Sequence, residues 1–287
     1  MSVARLEWAA RQNRIGLGLA AVGRPGYINV GRDRDLPSDR TVEALRERSH
    51  QILDAAYAAG VRYFDVARSY GRAEEFLAGW LGGHPDAVVG SKWGYTYTAG
   101  WRVDADVHET KDHGVATYDR QLGETQRLLG DRLDLYQIHS LTSESPALTD
   151  TALHRRLAEL AANGVAIGFS TSGPKQADAI RAALDVEVGK RPLFQSIQST
   201  WNLLEQSAGP ALEEAKQRGC FVIVKEALAN GRLAAIDREA LGAVLAQPFV
   251  DIVLSGATTV EQLASNLAAR AEGPEEYWSR RTRMPWQ

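Results

Sequence analysis

Short apolar runs alternate with longer segments of helical spacing along this chain. The runs are rich in Val, Ile, Leu and aromatic residues, which is typical of buried strands. They lie at 15–19, 61–66, 87–90, 133–138, 165–169, 193–198, 221–224 and 252–254. The sequence therefore predicts eight strands, each separated from the next by a longer connection.

The segments between the runs predict amphipathic helices. The first begins after an N-cap at Ser38 or Asp39, and its inner face carries Leu45 and Ile52 among others. Further helical patterns cover 118–129, 151–163, 206–218 and 260–271. A glycine stands between a helical segment and the next strand at four places, which is typical of helix C-termini. These glycines are Gly60, Gly130, Gly164 and Gly219.

Strands that alternate with helices pair in parallel. Eight such units in 287 residues favour an α/β fold of the (β/α)8 TIM-barrel type, for which about 250 residues is typical. An open, doubly wound sheet is the alternative, because a count of elements does not prove closure. No Pro/Gly/Ser-rich linker divides the chain, so we expect a single domain over 1–287. Two long loops, 21–37 and 93–114, are expected to serve the function.

Composition narrows the class of protein and of partner. The formal net charge is −3, which argues against nucleic acid or an anionic membrane as a partner. The one cysteine, Cys220, allows no intramolecular disulfide and no Cys-based zinc site. The first 14 residues lack the apolar core of a signal peptide, and no apolar run is long enough to span a membrane. We therefore expect a cytoplasmic protein, whose oligomeric state the sequence does not specify.

Polar residues that could take part in catalysis follow three successive predicted strands. Asp65 ends the second strand, and Tyr70 lies five residues further on. Lys92 follows the third strand and His139 follows the fourth. In a β/α barrel the C-terminal strand ends form one rim, where active sites lie. The pattern predicts that the four side chains converge there.

Three motifs carry a resemblance to a known family. Residues 64–71, Phe-Asp-Val-Ala-Arg-Ser-Tyr-Gly, resemble the aldo-keto reductase motif F-D-T-A-x-x-Y-G, with Val66 in place of Thr. Residues 91–94 are similar to the short T/S-K segment of that family, and 133–139 resemble L-D-L-Y-x-x-H. The resemblance runs from about residue 14 to about residue 271, and it implies a barrel oxidoreductase that uses NAD(P)(H).

The resemblance also implies roles for the four rim residues. Tyr70 is the proton donor or acceptor, Lys92 tunes it, Asp65 anchors Lys92, and His139 orients the carbonyl. The chemistry fits these roles, since a free phenol with a pKa of about 10 exchanges protons poorly at neutral pH. A neighbouring ammonium stabilises the phenolate. The expected reaction reduces an aldehyde or ketone to an alcohol, or runs in reverse.

Cofactor contacts are implied by the same resemblance, with marked departures from the family pattern. Thr171 stands where Asn is usual after Ser170, and Lys225 replaces the aromatic residue that usually stacks on nicotinamide. Lys225 could pair with Glu226 or with a cofactor phosphate. The implied contacts are Gly18, Leu19, Ser170, Thr171, Gln198, Lys225, Leu228, Asn230, Gly231, Arg232, Gly256, Thr258, Gln262 and Asn266.

The helix that follows the last strand is the expected phosphate site. Thr259 and Gln262 have the spacing of a capping box at its N-terminus. The family's basic residues for a 2′-phosphate are missing at 256–258, and Arg232 could replace them. NADP(H) is the expected cofactor by family habit, with NAD(H) as the alternative. Gly16-x-Gly18 lacks the third glycine of a Rossmann fingerprint.

Aromatic residues suggest the substrate side of the site. Trp93, Tyr95 and Trp201 are candidates for the pocket wall. Trp93 and Tyr95 belong to the loop 93–114, whose aromatic side chains could equally pack on one another. Arg24 and Tyr27 are candidates for covering it. The substrate would be a small carbonyl compound or alcohol.

Two other functions stay open at this point. One is a regulatory subunit that binds a nicotinamide nucleotide with little turnover. The other is a barrel hydrolase that holds a metal in the acidic loop. His108, Glu109, Asp112 and His113 lie in that loop, but their spacing fits no tight zinc pattern, so we expect no metal.

Overall fold

The computed structural model describes residues 3–26 and 39–271. The α-helices within these ranges are α1 (Ala4–Gln12), α2 (Val42–Ala58), α3 (Ala73–Leu81), α4 (Val115–Leu129), α5 (Thr151–Ala162), α6 (Gln176–Leu184), α7 (Gly209–Gln217), α8 (Asp237–Leu245) and α9 (Val260–Leu267). The strands are β1 (Ile15–Gly18), β2 (Tyr63–Asp65), β3 (Val88–Trp93), β4 (Tyr95–Tyr97), β5 (Glu109–Lys111), β6 (Leu133–Leu141), β7 (Ala166–Thr171), β8 (Glu187–Val188), β9 (Arg191–Pro192), β10 (Ser196–Thr200), β11 (Phe221–Lys225) and β12 (Ile252–Ser255).

Eight parallel strands close into a barrel in the order β1-β12-β11-β10-β7-β6-β3-β2. Closure is made by β1, which pairs in parallel with both β12 and β2. Each of the eight predicted apolar runs corresponds to one barrel strand. The (β/α)8 prediction is therefore confirmed, and the open doubly wound sheet is wrong.

The barrel interior is closed from below by α1, a helix that the sequence patterns did not reveal. Leu6 and Ala9 of α1 are fully buried and belong to one cluster with the inward-facing strand residues. Those strand residues are Tyr63, Val88, Leu135, Ala166, Phe221, Ile223 and Ile252. Since α1 covers the N-terminal ends of the strands, the described interior opens toward the opposite rim.

The outer core lies between the barrel and its helices, and α2 shows how the sequence builds it. Leu45 and Ile52 face inward as predicted. The expected cap at Ser38 or Asp39 is wrong, because Thr41 accepts the hydrogen bond from the backbone of Ala44. Asp39 instead accepts from the backbone and side chain of Thr41. The four predicted helix-ending glycines all have positive φ, which confirms their role.

The long loop 93–114 contains an antiparallel hairpin of β4 and β5, which the sequence analysis described only as a loop. The hairpin follows the C-terminal end of β3 and carries Glu109 and Lys111 on its returning strand. Of the other long loop, 27–38 falls outside the described residues, and the candidate Tyr27 with it. No helix in the described ranges is both long and apolar enough to cross a membrane.

Candidate active site

A cavity of about 380 Å³ opens at the C-terminal rim of the barrel. Asp65, Tyr70 and His139 line its floor, and the wall continues past Gln198 and Lys225 to the start of α9. Cavities of this size suit small molecules and the reactive part of a cofactor. Three of the four predicted catalytic residues thus face one space, and Lys92 lies directly beneath it.

Asp65 and Lys92 form a buried ion pair under the cavity. Lys92 is fully buried in β3, and its Nζ donates to Asp65 Oδ1 and, over 3.0 Å, to the backbone oxygen of Val66. Burial lowers the pKa of Lys92, and the carboxylate of Asp65 opposes that effect. The pairing predicted from the sequence is present in the structure.

Two further side chains donate to the Asp65 carboxylate. The Tyr63 hydroxyl lies 3.1 Å from Asp65 Oδ2, and the amide nitrogen of Gln198 lies 2.8 Å from the same oxygen. Neither contact was predicted. The signal for Tyr63 was in the sequence, since residues two apart on a strand share a face and Tyr63 precedes Asp65 by two.

Tyr70 lies in the loop after β2, close to both Lys92 and His139. The Lys92 ammonium is 4.9 Å from the centroid of the Tyr70 ring. The His139 ring meets that ring edge-on, with centroids 5.5 Å apart. This arrangement brings a cation and an imidazole to the same phenol.

A close contact between two loops fixes the turn that carries Tyr70. Gly71 has a φ of +60°, and a Cβ there would lie 2.5 Å from the backbone oxygen of Gly23. That oxygen accepts from the backbone of Arg72 over 2.8 Å. Any other residue at 71 would push the loops apart, so the glycine of the Y-G motif is required by contact as well as by conformation.

His139 is held as a neutral imidazole. Burial lowers its pKa well below the ordinary value, and the nearby cation of Lys92 acts in the same direction. Nδ1 lies 3.4 Å from the Ser69 hydroxyl. The backbone oxygen of His139 accepts from Nε2 of His113 over 2.9 Å, and that second histidine also contacts Ser145. A neutral imidazole suits hydrogen bonding to a carbonyl.

A second buried carboxylate supports the rim from outside the barrel. Glu74 of α3 accepts from Ser91 Oγ over 2.6 Å, from Thr125 Oγ1 over 2.9 Å and from Arg68 over 2.5 Å. Arg68 also pairs with Glu124 of α4 over 2.8 Å. The loop that carries Tyr70 is therefore tied to two helices.

Most of the predicted cofactor contacts line the cavity. Those that do are Gly18, Gln198, Lys225, Leu228, Asn230, Gly231, Gly256, Thr258, Gln262 and Asn266. The structure does not bring the other four predicted contacts to the lining. Leu19 is fully buried, Arg232 is exposed beside its own backbone turn, and Ser170 and Thr171 face neighbouring strands.

Ser170 and Thr171 contact neighbouring protein groups instead of facing the cavity as expected. Ser170 Oγ accepts from the backbone of Ser140 over 2.9 Å, which supports a residue with a φ of +57° after His139. Thr171 Oγ1 donates to Gln176 over 3.0 Å and lies 2.8 Å from Ser199 Oγ. Ser172, which was not predicted, lines the cavity in their place.

Lys225 is engaged with the protein itself. Its Nζ lies 2.9 Å from Glu226 Oε1 and 2.9 Å from Thr200 Oγ1. The structure thus contains the pair with Glu226, one of the two alternatives from the sequence, and Lys225 lowers the pKa of Glu226 against the effect of burial. Glu226, Ala229 and Asn230 all have positive φ. Such strain concentrates at functional loops.

The N-terminus of α9 closes the far end of the cavity. Thr259 caps the helix by accepting from the backbone of Gln262 over 3.2 Å. The return bond of the predicted capping box goes to the preceding residue, because Gln262 Oε1 accepts from the backbone of Thr258 over 2.9 Å. Asn266 bridges Ser255 and Asp237, at 2.8 and 3.1 Å.

The opposite wall of the cavity carries an ion pair that was not predicted from the sequence. Arg24 is 7% exposed, and its Nη1 lies 3.3 Å from Glu109 and 3.2 Å from the backbone oxygen of Ser69. Both charged side chains line the cavity. The guanidinium carbon is 5.6 Å from the centroid of the Tyr70 ring. This pair joins the first loop to the hairpin beside Tyr70.

The aromatic candidates for the substrate wall are placed elsewhere. Trp93 is fully buried against Tyr118, and Trp201 packs on Phe249 at 3% exposure, so neither lines the cavity. Both are large rings on strand ends that point toward the helices, where they serve the outer core. Tyr95 is nearer the site, with its ring centroid 5.1 Å from that of His139.

The acidic loop offers no metal site in the part of the chain that the structure describes. No group of three or more His, Cys, Asp or Glu residues there could hold an ion. His113 is turned inward onto the His139 backbone, and Asp112 accepts from Thr117 and from the backbone of Gly114. His113 and Asp112 therefore serve the architecture of the rim.

Comparison with known proteins agrees with this geometry. A curated relative, the aldo-keto reductase str7 of Strobilurus tenacellus, is 27% identical over 225 residues, which cover 76% of this chain and 57% of the relative. The chain thus spans less than two thirds of that relative's length. A solved structure described as an aldo-keto reductase of Pseudomonas aeruginosa is 26% identical, with a TM-score of 0.68 over 89% of this chain and 88% of the other.

A second solved structure, an aldo-keto reductase from Klebsiella pneumoniae in complex with NADPH, has a TM-score of 0.65 at 21% identity. It covers 94% of this chain and 90% of the other. The sequence pattern of the Aldo/keto reductase family matches residues 14–243. This match covers most of the chain, so the protein belongs to the aldo/keto reductase family.

Proposed function

We propose that the protein is an NADP(H)-dependent oxidoreductase that reduces an aldehyde or ketone to an alcohol, or catalyses the reverse reaction. The observation that carries this proposal is the buried Lys92–Asp65 pair, whose ammonium lies 4.9 Å from the centroid of the Tyr70 ring. An ammonium at this place stabilises the phenolate form of Tyr70. The family membership supports the same reaction type.

Tyr70 is the group that exchanges a proton with the substrate oxygen. In reduction the phenol gives up its proton while hydride arrives at the carbonyl carbon, and in oxidation the phenolate takes the proton back. Lys92 holds the charge of the phenolate, and Asp65 holds Lys92. His139, which is neutral, donates a hydrogen bond that orients the carbonyl and polarises it.

The lining of the cavity supports binding of a nicotinamide cofactor, which would supply or accept the hydride when bound. Its lining runs from Gly18 and Asp65, past Gln198, to Gly256 and the N-terminus of α9. All five of these lining residues support the proposal: Gln198 would face the nicotinamide amide, and Asn230, Gly231, Gly256 and Thr258 would hold the phosphate-bearing part. A helix N-terminus favours an anion there.

The choice of NADP(H) over NAD(H) rests on the family and on its Klebsiella pneumoniae member solved with NADPH. Among the described lining residues near α9, Asp237 is acidic and accepts from Asn266. An acid at this end suits a ribose hydroxyl better than a phosphate. NAD(H) therefore stays as the alternative, and side-by-side titration with NADPH and NADH decides between them.

The central experiment measures oxidation of NADPH with a panel of aldehydes and ketones. We expect turnover by the native protein and a loss of at least about 100-fold in kcat for Tyr70→Phe, the size typical of a lost general acid. Nucleotide binding should be retained in the variant. Tyr57→Phe, which removes a hydroxyl from α2 on the outside of the barrel, is the matched control and should keep full activity.

Three other outcomes would each overturn the proposal. Nucleotide binding with no turnover of any carbonyl would favour the regulatory subunit. Activity that a chelator abolishes and that ignores Tyr70→Phe would favour the metal-dependent hydrolase. Equal turnover by Tyr70→Phe and the native protein would remove Tyr70 from the mechanism.

A further inference from the structure

Tyr63 lies inside the barrel, one layer below Asp65. Side chains two residues apart on a strand point to the same face, so Tyr63 and Asp65 of β2 both project inward. Tyr63 is fully buried and belongs to the interior cluster that α1 covers. A phenol among Val88, Ile223 and Ile252 needs a partner for its hydroxyl, and Asp65 is that partner.

Two glycines on the neighbouring strands make room for the Tyr63 ring. A Cβ on Gly90 of β3 would lie 2.2 Å from the Tyr63 hydroxyl. A Cβ on Gly16 of β1 would lie 2.9 Å from the Cδ1 atom of the ring. With both flanking positions reduced to glycine, the ring has one place to lie, and its hydroxyl is directed at Asp65 Oδ2 over 3.1 Å.

Tyr63 acts as a donor in this contact. Burial raises its pKa well above the ordinary value, and the charge of Asp65 acts in the same direction. The phenol therefore keeps its proton and donates it in a hydrogen bond to the carboxylate. Hydrogen bonds to a charged acceptor are stronger than those between neutral groups.

We propose that Tyr63 is a positioning residue of the catalytic site, which sets the acidity of the Tyr70 phenol through Asp65 and Lys92. The inference rests on the proposed function, because it gives Tyr70 the role of proton donor. Asp65 receives Lys92 on Oδ1, and Tyr63 and Gln198 on Oδ2. The donors on Oδ2 reduce the negative charge that Asp65 presents to Lys92. The positive charge of the Lys92 ammonium is then less neutralised, so it stabilises the Tyr70 phenolate more strongly.

Removal of the Tyr63 hydroxyl reverses this effect. The carboxylate then places more of its charge on Lys92, so the ammonium stabilises the Tyr70 phenolate less. The phenol becomes a weaker acid. In reduction, kcat falls while the pH at which activity declines on the basic side moves upward.

The groups that face this cluster come from several elements, and none is changed by the substitution at 63. They are Asp65 of β2, Tyr70 of the loop after β2, Lys92 of β3, Glu74 of α3, Asp134 and His139 of β6, and Arg24, whose guanidinium carbon lies 5.6 Å from the centroid of the Tyr70 ring. A shift in the pH profile of Tyr63→Phe can therefore be attributed to the lost hydroxyl and its contact with Asp65.

The experiment compares Tyr63→Phe with Tyr136→Phe as the matched control. Tyr136 is a fully buried tyrosine of β6, but it belongs to the outer cluster against the helices. We expect Tyr63→Phe to move the basic limb of the kcat profile upward by about 0.5 to 1 pH unit, the scale set by one hydrogen bond to a charged group. The KM for the nucleotide should stay unchanged, and Tyr136→Phe should keep the native profile.

A second readout does not depend on turnover. Ultraviolet titration of Tyr63→Phe, with and without Tyr70→Phe, isolates the ionisation of Tyr70 as a difference. Its midpoint should lie higher in Tyr63→Phe than in the native protein. An unchanged or lowered midpoint overturns the inference.

The remaining outcomes are also decisive. If Tyr63→Phe fails to fold while Tyr136→Phe folds normally, the hydroxyl serves stability and the inference is wrong. If Tyr70→Phe is inactive but Tyr63→Phe has the native profile, this inference fails alone. If Tyr70→Phe turns over normally, the proposed function fails first.

Discussion

Gln198 of β10 donates a hydrogen bond to Asp65 of β2 across the top of the barrel, with 2.8 Å between Nε2 and Oδ2. The same side chain lines the cavity where the nicotinamide amide is proposed to bind. One residue thus touches both the Asp65 carboxylate and the proposed cofactor space. Loss of its amide should affect binding and chemistry together.

Gln198→Met tests this double role. The variant keeps the length of the side chain but removes the donor to Asp65 and the partner for the nicotinamide amide. We expect the KM for the nucleotide to rise and kcat to fall, each by about tenfold, since one hydrogen bond involving a charge is at stake. Steady-state kinetics measures both. A change in KM alone would show that the contact with Asp65 does not contribute to kcat.

Thr171→Asn tests whether the family residue at this position would bind cofactor here. Thr171 is fully buried, and its hydroxyl contacts Gln176 and Ser199 rather than the cavity. We expect the larger amide to lower the free energy of unfolding by about 1 to 3 kcal/mol with no gain in nucleotide affinity. Urea unfolding and fluorescence titration check the two parts. Tighter nucleotide binding would contradict this placement.

Glu109→Gln tests the ion pair on the substrate side. Glu109 is the carboxylate beside Arg24 in the cavity, so its neutralisation leaves the guanidinium available to an acidic substrate. We expect kcat/KM for carbonyl compounds that carry a carboxylate to rise about fivefold relative to neutral ones, an effect of about 1 kcal/mol. Asp104→Asn, in the exposed pair with Arg102, is the control. An unchanged preference would assign the pair to loop packing alone.

His113 predicts a dependence of stability on pH. Burial lowers the pKa of His113 from 6.5 to about 4 in the folded protein. Between these values the unfolded chain binds the proton and the folded protein does not, so stability falls as the pH drops from about 6.5 toward 4. The loss approaches about 3 kcal/mol for this group.

Urea unfolding between pH 7 and pH 4.5 measures that dependence. His113→Asn keeps a donor near the His139 backbone and has no titratable ring, so its curve should be flatter than that of the native protein. His84→Asn, on the outer surface of the barrel, serves as the control. Equal slopes for the native protein and His113→Asn would refute the assignment.

The barrel was predictable because its strands are buried on both faces and read as continuous apolar runs between helices. The convergence of the four rim residues was predictable because Asp65, Lys92 and His139 stand toward strand ends, where a parallel barrel must bring them together. Patterns of this kind depend on spacing within one element, which a sequence displays directly.

The cofactor and substrate contacts were less predictable, for physical reasons. Whether Ser170 and Thr171 face the cavity or a neighbouring strand depends on the bulge after Ile138, where Ser140 takes a positive φ. Arg24 and Glu109 are 85 residues apart and meet only when two long loops fold against each other. Trp93 and Trp201 have the composition of a pocket wall but lie on the strand face that points toward the helices.

Helix α1 closes one end of the barrel, and the cavity opens at the other end. Leu6 and Ala9 seal the base together with the interior strand residues, far from the rim loops that shape the cavity. The tip of the β4–β5 hairpin, 102–107, is mostly exposed and can therefore be exchanged with little cost to folding, while the sealed base keeps the strands in register. This division marks the hairpin tip as the natural place for loop grafting.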